Sequence, residues 1–194
     1  MTSDDIPAHH RAHRSGFIRL VGRMLLKLMG WQIEGRVPDT RKLIIAGAPH
    51  TSNWDFVVAM SVVMALDLRA NWLAKHTIFR FPFKTLFFKL GGIPLDRSNP
   101  KGVAEQMAEK IRASDQMIIG IMPEGTRKKV EKWKSGFLRI AYAADCPVLL
   151  SSLDFDSKTV LFGDLITARE DVDQQLLEIK EYYSQFKPKY PEKF

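Results

Sequence analysis

Apolar residues along the chain fall into short runs that alternate between two kinds of segment. Residues 42–47 form a short apolar run closed by glycine, which predicts a buried strand. Residues 56–66 form a longer apolar run, which predicts a buried helix with Ser52 or Asn53 as its N-cap. The predicted elements are helix 16–29, strand 42–47, helix 53–67, strand 71–75, helix 80–90, strand 92–96, helix 101–113, strand 117–122, helix 133–144, strand 147–153, strand 159–162 and helix 171–186.

This alternation predicts an α/β fold with a mixed, largely parallel central sheet flanked by helices, because parallel strands need helical crossovers. Residues 31–35 are a candidate for an additional edge strand. We expect residues 15–194 to form a single domain that includes the N-terminal amphipathic helix. Residues 1–14 contain three histidines and few apolar residues, so they are expected to be a flexible tail without a metal site.

Basic residues on the first predicted helix indicate the kind of partner that the protein binds. The net charge of +7 favours an anionic partner, either a membrane surface or a nucleic acid. In residues 16–29 the cations Arg19, Arg23 and Lys27 recur every fourth position, beside an apolar stripe. The stripe contains Phe17, Leu20, Val21, Met24, Leu25 and Leu28. Such a helix suits a membrane interface or, alternatively, packs its stripe on its own domain.

A second segment, residues 79–90, combines five phenylalanines with three cations. Its rings suit core packing or contact with a bilayer, and its mixture of aromatic and basic residues also suits single-stranded nucleic acid. The chain has no apolar stretch of the ~20 residues that a membrane-spanning helix needs. Cys146 is the sole cysteine, so an intramolecular disulfide is excluded and a reducing, cytosolic setting is expected.

His50 and Asp55 stand five positions apart where the strand 42–47 meets the following helix. On one continuous helix they would not face each other, but a turn at residues 51–52 removes this objection. The Asp55 carboxylate is then able to accept the Nδ1 proton of His50 and leave Nε2 free as a base. The plainer interpretation is that Asp55 only caps the helix.

Two further segments place charged groups at the ends of predicted strands. Residues 91–97 read Gly-Gly-Ile-Pro-Leu-Asp-Arg and end at Arg97. Residues 122–127 read Met-Pro-Glu-Gly-Thr-Arg and follow the strand 117–122. In open α/β sheets ligands bind at the carboxyl ends of strands, and an arginine there suits a phosphate.

The ordered blocks HTSNWD, GGIPLDR, PEGTR and Cys146-Pro147-Val148 resemble the glycerolipid and lysophospholipid acyltransferase superfamily, which includes 1-acylglycerol-3-phosphate acyltransferases. The resemblance spans about residues 42–150. It implies that His50 is the general base and that Asp55 orients it. It also implies an acceptor site, whose residues would be Arg97, Glu124, Gly125, Thr126 and Arg127.

The activity that this resemblance implies is transfer of a fatty acyl group from acyl-CoA or acyl-acyl-carrier protein to the hydroxyl of a lysophospholipid similar to lysophosphatidic acid. No metal or bound cofactor is expected, because the thioester is itself the activated co-substrate. The expected location is the cytoplasmic face of a membrane, as a peripheral protein, with nucleic acid disfavoured as a partner. Two alternatives stay open: a non-phosphorylated lipid or alcohol acceptor, and a non-catalytic lipid- or nucleic-acid-binding protein on the same scaffold.

Overall fold

The computed structural model describes residues 1–95 and 100–194. Within these ranges the strands form one sheet with the order β1-β7-β6-β2-β5-β3-β4. The strands are β1 (Gln32–Gly35), β2 (Lys42–Gly47), β3 (Ala70–Lys75), β4 (Gly92–Leu95), β5 (Met117–Ile121), β6 (Val148–Asp154) and β7 (Thr159–Ile166). All neighbouring pairs are parallel except β6 and β7, which are antiparallel. The predicted mixed, largely parallel sheet flanked by helices is confirmed.

The described part of the chain has six α-helices, of which the first precedes β1 and the others connect or follow the strands. The helices are α1 (Gly16–Met29), α2 (Asn53–Ala65), α3 (Lys84–Lys89), α4 (Pro100–Ala113), α5 (Gly136–Ala144) and α6 (Val172–Ser184). The prediction of one helix over residues 80–90 is wrong in its first part, where a short 3-10 helix (His76–Ile78) and turns precede α3. Pro82 explains the difference, since proline disfavours helical backbone at the residue before it.

Neighbouring residues of the central strands point to opposite faces of the sheet and build two cores. Ile44, Ile119 and Leu150 pack with residues of α4, α5 and α6. Leu43, Ile118 and Leu149 pack with residues of α1 and α2. Helices therefore cover both faces of the sheet, and a reactive site has room only at the ends of the strands.

Helix α1 packs on α2 through its small residues and not through its full apolar stripe. Gly22 is buried, and a Cβ there would lie 2.5 Å from the Ala65 backbone nitrogen, so only glycine allows this approach. Leu26 is buried on the same side. Val21, Leu25 and Met29 are partly buried, whereas Phe17 and Leu28 are 74% and 80% exposed. Among the described residues, no helix is both long and apolar enough to cross a membrane.

The first fourteen residues pack against the body of the protein, which differs from the flexible tail that their polar composition predicts. Ile6 is 1% exposed and joins the core formed by α1 and α2. The Ala12 backbone N–H donates to the Asp67 carbonyl at 2.8 Å, and the Arg14 guanidinium lies 3.5 Å from the Asp67 carboxylate. One buried apolar side chain and one buried ion pair thus hold the segment.

Candidate active site

Strands β2 and β5 are parallel neighbours, so the segments that follow them emerge at the same edge of the sheet. The segment after β2 carries His50, and the segment after β5 carries Glu124. The His50 backbone N–H donates to the Glu124 Oε1 at 2.7 Å. Two blocks that are more than seventy positions apart in sequence therefore meet in one site.

The N-terminus of α2 is closed by a capping box that includes Asp55. Ser52 is the N-cap, and its Oγ accepts a hydrogen bond from the Trp54 backbone N–H at 3.0 Å. The Asp55 Oδ2 accepts from the backbone N–H groups of Thr51 and Ser52, each at 2.8 Å. The Asp55 Oδ1 accepts from the Ser52 hydroxyl at 3.0 Å. These bonds fix the carboxylate and bend the chain back between His50 and the helix.

The turn brings the imidazole of His50 against this carboxylate. Nδ1 of His50 lies 3.1 Å from Oδ2 of Asp55, and the Asp55 side chain is 3% exposed. The two atoms are at ion-pair distance, but they are not aligned as a regular hydrogen bond, and Nδ1 has no other partner among the described residues. Catalytic hydrogen bonds are often poorly aligned before substrate binds and tighten in the complex. Asp55 therefore both caps the helix and faces the histidine.

Glu124 is enclosed beneath the His50 turn, with 4% of its surface exposed. Its Oε1 accepts from the His50 amide, and its Oε2 is buried without a hydrogen-bond partner among residues 1–95 and 100–194. Burial raises the pKa of this carboxyl from its ordinary 4.5 to about 7, against the lowering effect of the His50 amide and imidazole. The negative charge of Asp55 adds to the increase. Glu124 thus contacts the turn that carries His50, and its predicted contact with an acceptor stays a prediction.

This raised pKa makes the stability of the protein depend on pH. The folded protein holds the Glu124 proton more tightly than the unfolded chain, so Glu124 should lower the free energy of unfolding as pH rises from 4.5 to about 7. Replacing Glu124 with glutamine should remove this contribution, which is at most about 3 kcal/mol. Urea unfolding of both proteins between pH 4.5 and 8 measures it. If the free energy of unfolding changes with pH in the same way in both proteins, the raised pKa assigned to Glu124 is wrong.

The rest of the PEGTR block turns away from the sheet after Glu124. Gly125 has a φ of +65°, and a Cβ there would lie 3.0 Å from the Lys134 Cδ, so the position favours glycine. The Thr126 Oγ accepts from the Lys128 backbone N–H at 3.3 Å, and the Arg127 side chain is exposed. Arg97, which the sequence also predicts in the acceptor site, lies outside the described residues.

Tyr183 braces the strands that lead to the site, although no motif in the sequence marks it. Its side chain is fully buried, and its hydroxyl donates to the Ala46 carbonyl and accepts from the Ser151 backbone N–H. It thereby joins β2 to β6 just before the His50 turn. The helical spacing of Leu176, Ile179 and Tyr183 signals a buried face of α6, but spacing alone does not reveal the strands that the hydroxyl bridges.

Across residues 1–95 and 100–194, no group of three or more His, Cys, Asp or Glu side chains is placed to hold a metal ion. The site consists of His50, the buried carboxyl groups of Asp55 and Glu124, and the loop after Glu124, which carries Arg127. Such a site is suited to moving a proton from a hydroxyl and to holding an anionic group nearby.

Comparison with known proteins defines the class of this protein. Residues 31–150, which include the His50 turn and the PEGTR block, match the model of the acyltransferase family. The chain belongs to the acyltransferase family and is an acyltransferase enzyme.

Among solved structures, its fold is similar to that of PlsC from Thermotoga maritima, a 1-acyl-sn-glycerophosphate (LPA) acyltransferase. The TM-score is 0.60 and the sequence identity 18%, and the match covers 89% of this chain and 80% of that chain. At this identity the likeness shows a shared fold. The search of curated proteins gives no match.

Proposed function

We propose that this acyltransferase moves a fatty acyl group from an acyl thioester, acyl-CoA or acyl-acyl-carrier protein, to the hydroxyl of a lysophospholipid similar to lysophosphatidic acid. The observation that carries the proposal is the His50 imidazole facing the buried Asp55 carboxylate at the carboxyl edge of the sheet. Membership of the family and the fold shared with PlsC support the same reaction class.

In this mechanism His50 acts as the general base. Its Nε2 takes the proton of the acceptor hydroxyl while the hydroxyl oxygen attacks the thioester carbonyl carbon. Asp55, opposite Nδ1, stabilises the imidazolium that forms. When the C–S bond breaks, the leaving thiolate takes the proton from the imidazolium, so an ester and a free thiol are the products. His50 returns to its neutral state.

The acceptor headgroup is placed by the loop that follows Glu124. Arg127 presents an exposed guanidinium on this loop, and a guanidinium holds a phosphate through charge-assisted hydrogen bonds. The sequence assigns Arg97 the same task. A phosphate-bearing lysolipid is therefore the proposed acceptor.

The test compares lysophosphatidic acid with its dephosphorylated counterpart, monoacylglycerol, as acceptors, with products identified by mass spectrometry. Replacing Arg127 with alanine should lower kcat/KM for the phosphorylated acceptor by about 10- to 100-fold, since a hydrogen bond to a charged group contributes about 1.5–3 kcal/mol. The loss for monoacylglycerol should be much smaller, and Arg127→Lys should restore activity only in part. Arg41→Ala, which removes an exposed cation just before β2, is the control. Equal losses on both acceptors would contradict a phosphate-binding role.

We also infer that the face of the protein formed by α1, α2 and residues 78–88 docks on a membrane. The outward side chains of α1 are Phe17, Leu20, Met24 and Leu28. The second group of exposed apolar side chains is Ile78, Phe81, Phe83, Leu86 and Phe88. Contacts of the Trp72 ring with Phe56 of α2 and with Phe79 place both groups on the α2 side of the sheet. Phe81 is 95% exposed to water, and contact with lipid would remove this unfavourable exposure of an apolar ring.

Replacing Arg19, Arg23 and Lys27 with glutamine should weaken binding to anionic vesicles by about 1 kcal/mol for each charge. The measurement is vesicle co-sedimentation over a salt series, with phosphatidylglycerol-containing vesicles. A variant with Arg36, Arg41 and Lys110 replaced by glutamine has the same net charge and is the matched control. Equal binding by the two variants would show that α1 serves only in packing.

A further inference from the structure

A second concentration of positive charge borders the catalytic turn and is formed by segments outside α1, α2 and α3. It comprises residues 127–134 and 187–193, which we call the basic rim. Its cations are Arg127, Lys128, Lys129, Lys132, Lys134, Lys187, Lys189 and Lys193, and all are exposed except the partly buried Lys189. The acidic side chains in the same two segments are Glu131 and Glu192. The rim is therefore strongly positive.

The two segments of the basic rim lie together although more than fifty positions separate them in sequence. The Trp133 ring lies 5.7 Å from that of Tyr183 and 5.8 Å from that of Phe194. The Lys180 Nζ donates to the Glu131 carbonyl at 3.1 Å. These contacts fix the loop after the PEGTR block against α6 and the segment that follows it.

The basic rim also touches the segment that carries the general base. The Tyr190 backbone N–H donates to the Thr51 Oγ at 3.3 Å, and Thr51 follows His50 directly. The Lys189 ammonium lies 4.7 Å from the centre of the Trp54 ring, one position before Asp55. A partner held on the rim is therefore next to the reacting groups. The segment 187–193 lies outside the residues that match the family.

The two segments of the rim have the charge for an anionic partner, but they expose little apolar surface of their own. The exposed ring beside them, Trp54 of α2 at 49%, is covered on one side by the Lys189 ammonium. Within the rim, Trp133 is 5% exposed and belongs to the core of α4, α5 and α6, on the face of the sheet opposite α1. Tyr190 is 37% exposed, and the Lys193 ammonium lies 4.2 Å from its ring centre. A membrane-binding surface combines cations with exposed apolar groups, as the α1 face does. The rim therefore suits a protein or a soluble ligand better than lipid.

We propose that the basic rim is the docking surface for an acidic acyl-carrier protein, which presents its acyl thioester to His50. The proposal rests on the proposed acyl-transfer function and names the donor. Cations spread over two exposed segments match a partner whose carboxylates are spread over its own surface. A nucleotide donor carries its charge on a few phosphates and needs a compact site. Complementary charge of this kind mainly sets the association rate and the orientation of the partner.

The experiment uses a variant in which Lys128, Lys129 and Lys187 are replaced by glutamine, a set that leaves the proposed acceptor residue Arg127 in place. The variant with Arg36, Arg41 and Lys110 replaced by glutamine is again the control, since these cations lie outside the rim. Palmitoyl-acyl-carrier protein and palmitoyl-CoA serve as donors to lysophosphatidic acid in uncharged detergent micelles. Binding of holo-acyl-carrier protein is measured separately by surface plasmon resonance.

For the rim variant, kcat/KM with palmitoyl-acyl-carrier protein should fall about tenfold at low salt, through KM. Its kcat/KM with palmitoyl-CoA should stay within about twofold of the wild type, and the control should match the wild type with both donors. With palmitoyl-acyl-carrier protein as donor, the difference in kcat/KM between the wild type and the rim variant should shrink as the salt concentration rises, because screening weakens exposed charge pairs.

Other outcomes overturn the proposal. Equal losses with both donors would assign the rim to the phosphates of a nucleotide or phosphopantetheine. Weaker binding to anionic vesicles would assign it to lipid, and unchanged kinetics and binding would leave it without a role in donor use.

If the wild type binds holo-acyl-carrier protein and the rim variant does not, but neither transfers an acyl group, the docking surface stands and the proposed reaction fails.

Discussion

Replacing His50 with alanine is expected to lower kcat by about 10²–10⁴-fold, because no other group would take the proton of the acceptor hydroxyl. The effect should fall on kcat and kcat/KM alike, since a general base acts in the transition state. Thiol release from palmitoyl-CoA in the presence of lysophosphatidic acid measures the rate. The His50 side chain is 18% exposed and donates no regular hydrogen bond to the part of the chain that the structure describes, so the fold should persist.

The matched control is His76→Ala, which removes an exposed imidazole outside the site and should leave kcat unchanged. Thermal unfolding of both variants shows whether they remain folded. Normal turnover by a folded His50→Ala protein would remove the general-base mechanism. It would then favour the interpretation of His50 as an ordinary loop histidine.

The sequence predicted the parts of this fold that local pattern controls. The apolar run of β2 and the long apolar helix after it are confirmed, with the cap of α2 at Ser52. The parallel arrangement followed from the alternation of strands and helices. The five-residue spacing then placed His50 and Asp55 across a turn, and their atoms lie 3.1 Å apart in the structure.

Long-range contacts were beyond the reach of these patterns. The bond between the Glu124 carboxylate and the His50 amide depends on the adjacency of β2 and β5, which no spacing in the sequence encodes. The bridge that Tyr183 makes between Ala46 and Ser151 depends in the same way on how α6 crosses the sheet. Resemblance to a family grouped Glu124 with the acceptor residues, but its burial follows only from the packed structure.

Helix α1 shows why an amphipathic pattern predicts a helix without deciding which of its faces is buried. Hydrophobicity alone favours burial of the stripe that includes Phe17 and Leu28. The structure instead buries Gly22 and Leu26 against α2, because the absence of a side chain at Gly22 lets the two backbones approach closely. Shape complementarity decided the packing, and several large apolar side chains, Phe17 and Leu28 among them, remained exposed.

Asp55 has two roles, and a pair of variants should separate them. An asparagine at this position keeps an oxygen that accepts the backbone N–H groups of Thr51 and Ser52, and its amide is able to donate to the Ser52 Oγ. It loses the charge that stabilises the imidazolium. Asp55→Asn is therefore expected to lower kcat by about 10²–10⁴-fold, while the free energy of unfolding falls by about 1 kcal/mol or less.

Ser52→Ala should lower stability by a similar amount but leave most of the turnover in place. It removes the side chain that caps the Trp54 N–H but leaves the Asp55 carboxylate opposite His50. The free energy of unfolding should fall by about 1 kcal/mol, with a much smaller loss of kcat than in Asp55→Asn. Urea unfolding and thiol-release kinetics on both variants provide the comparison. If Asp55→Asn keeps normal turnover and loses as much stability as Ser52→Ala, Asp55 is a helix cap alone, and the partner of His50 has to be sought elsewhere.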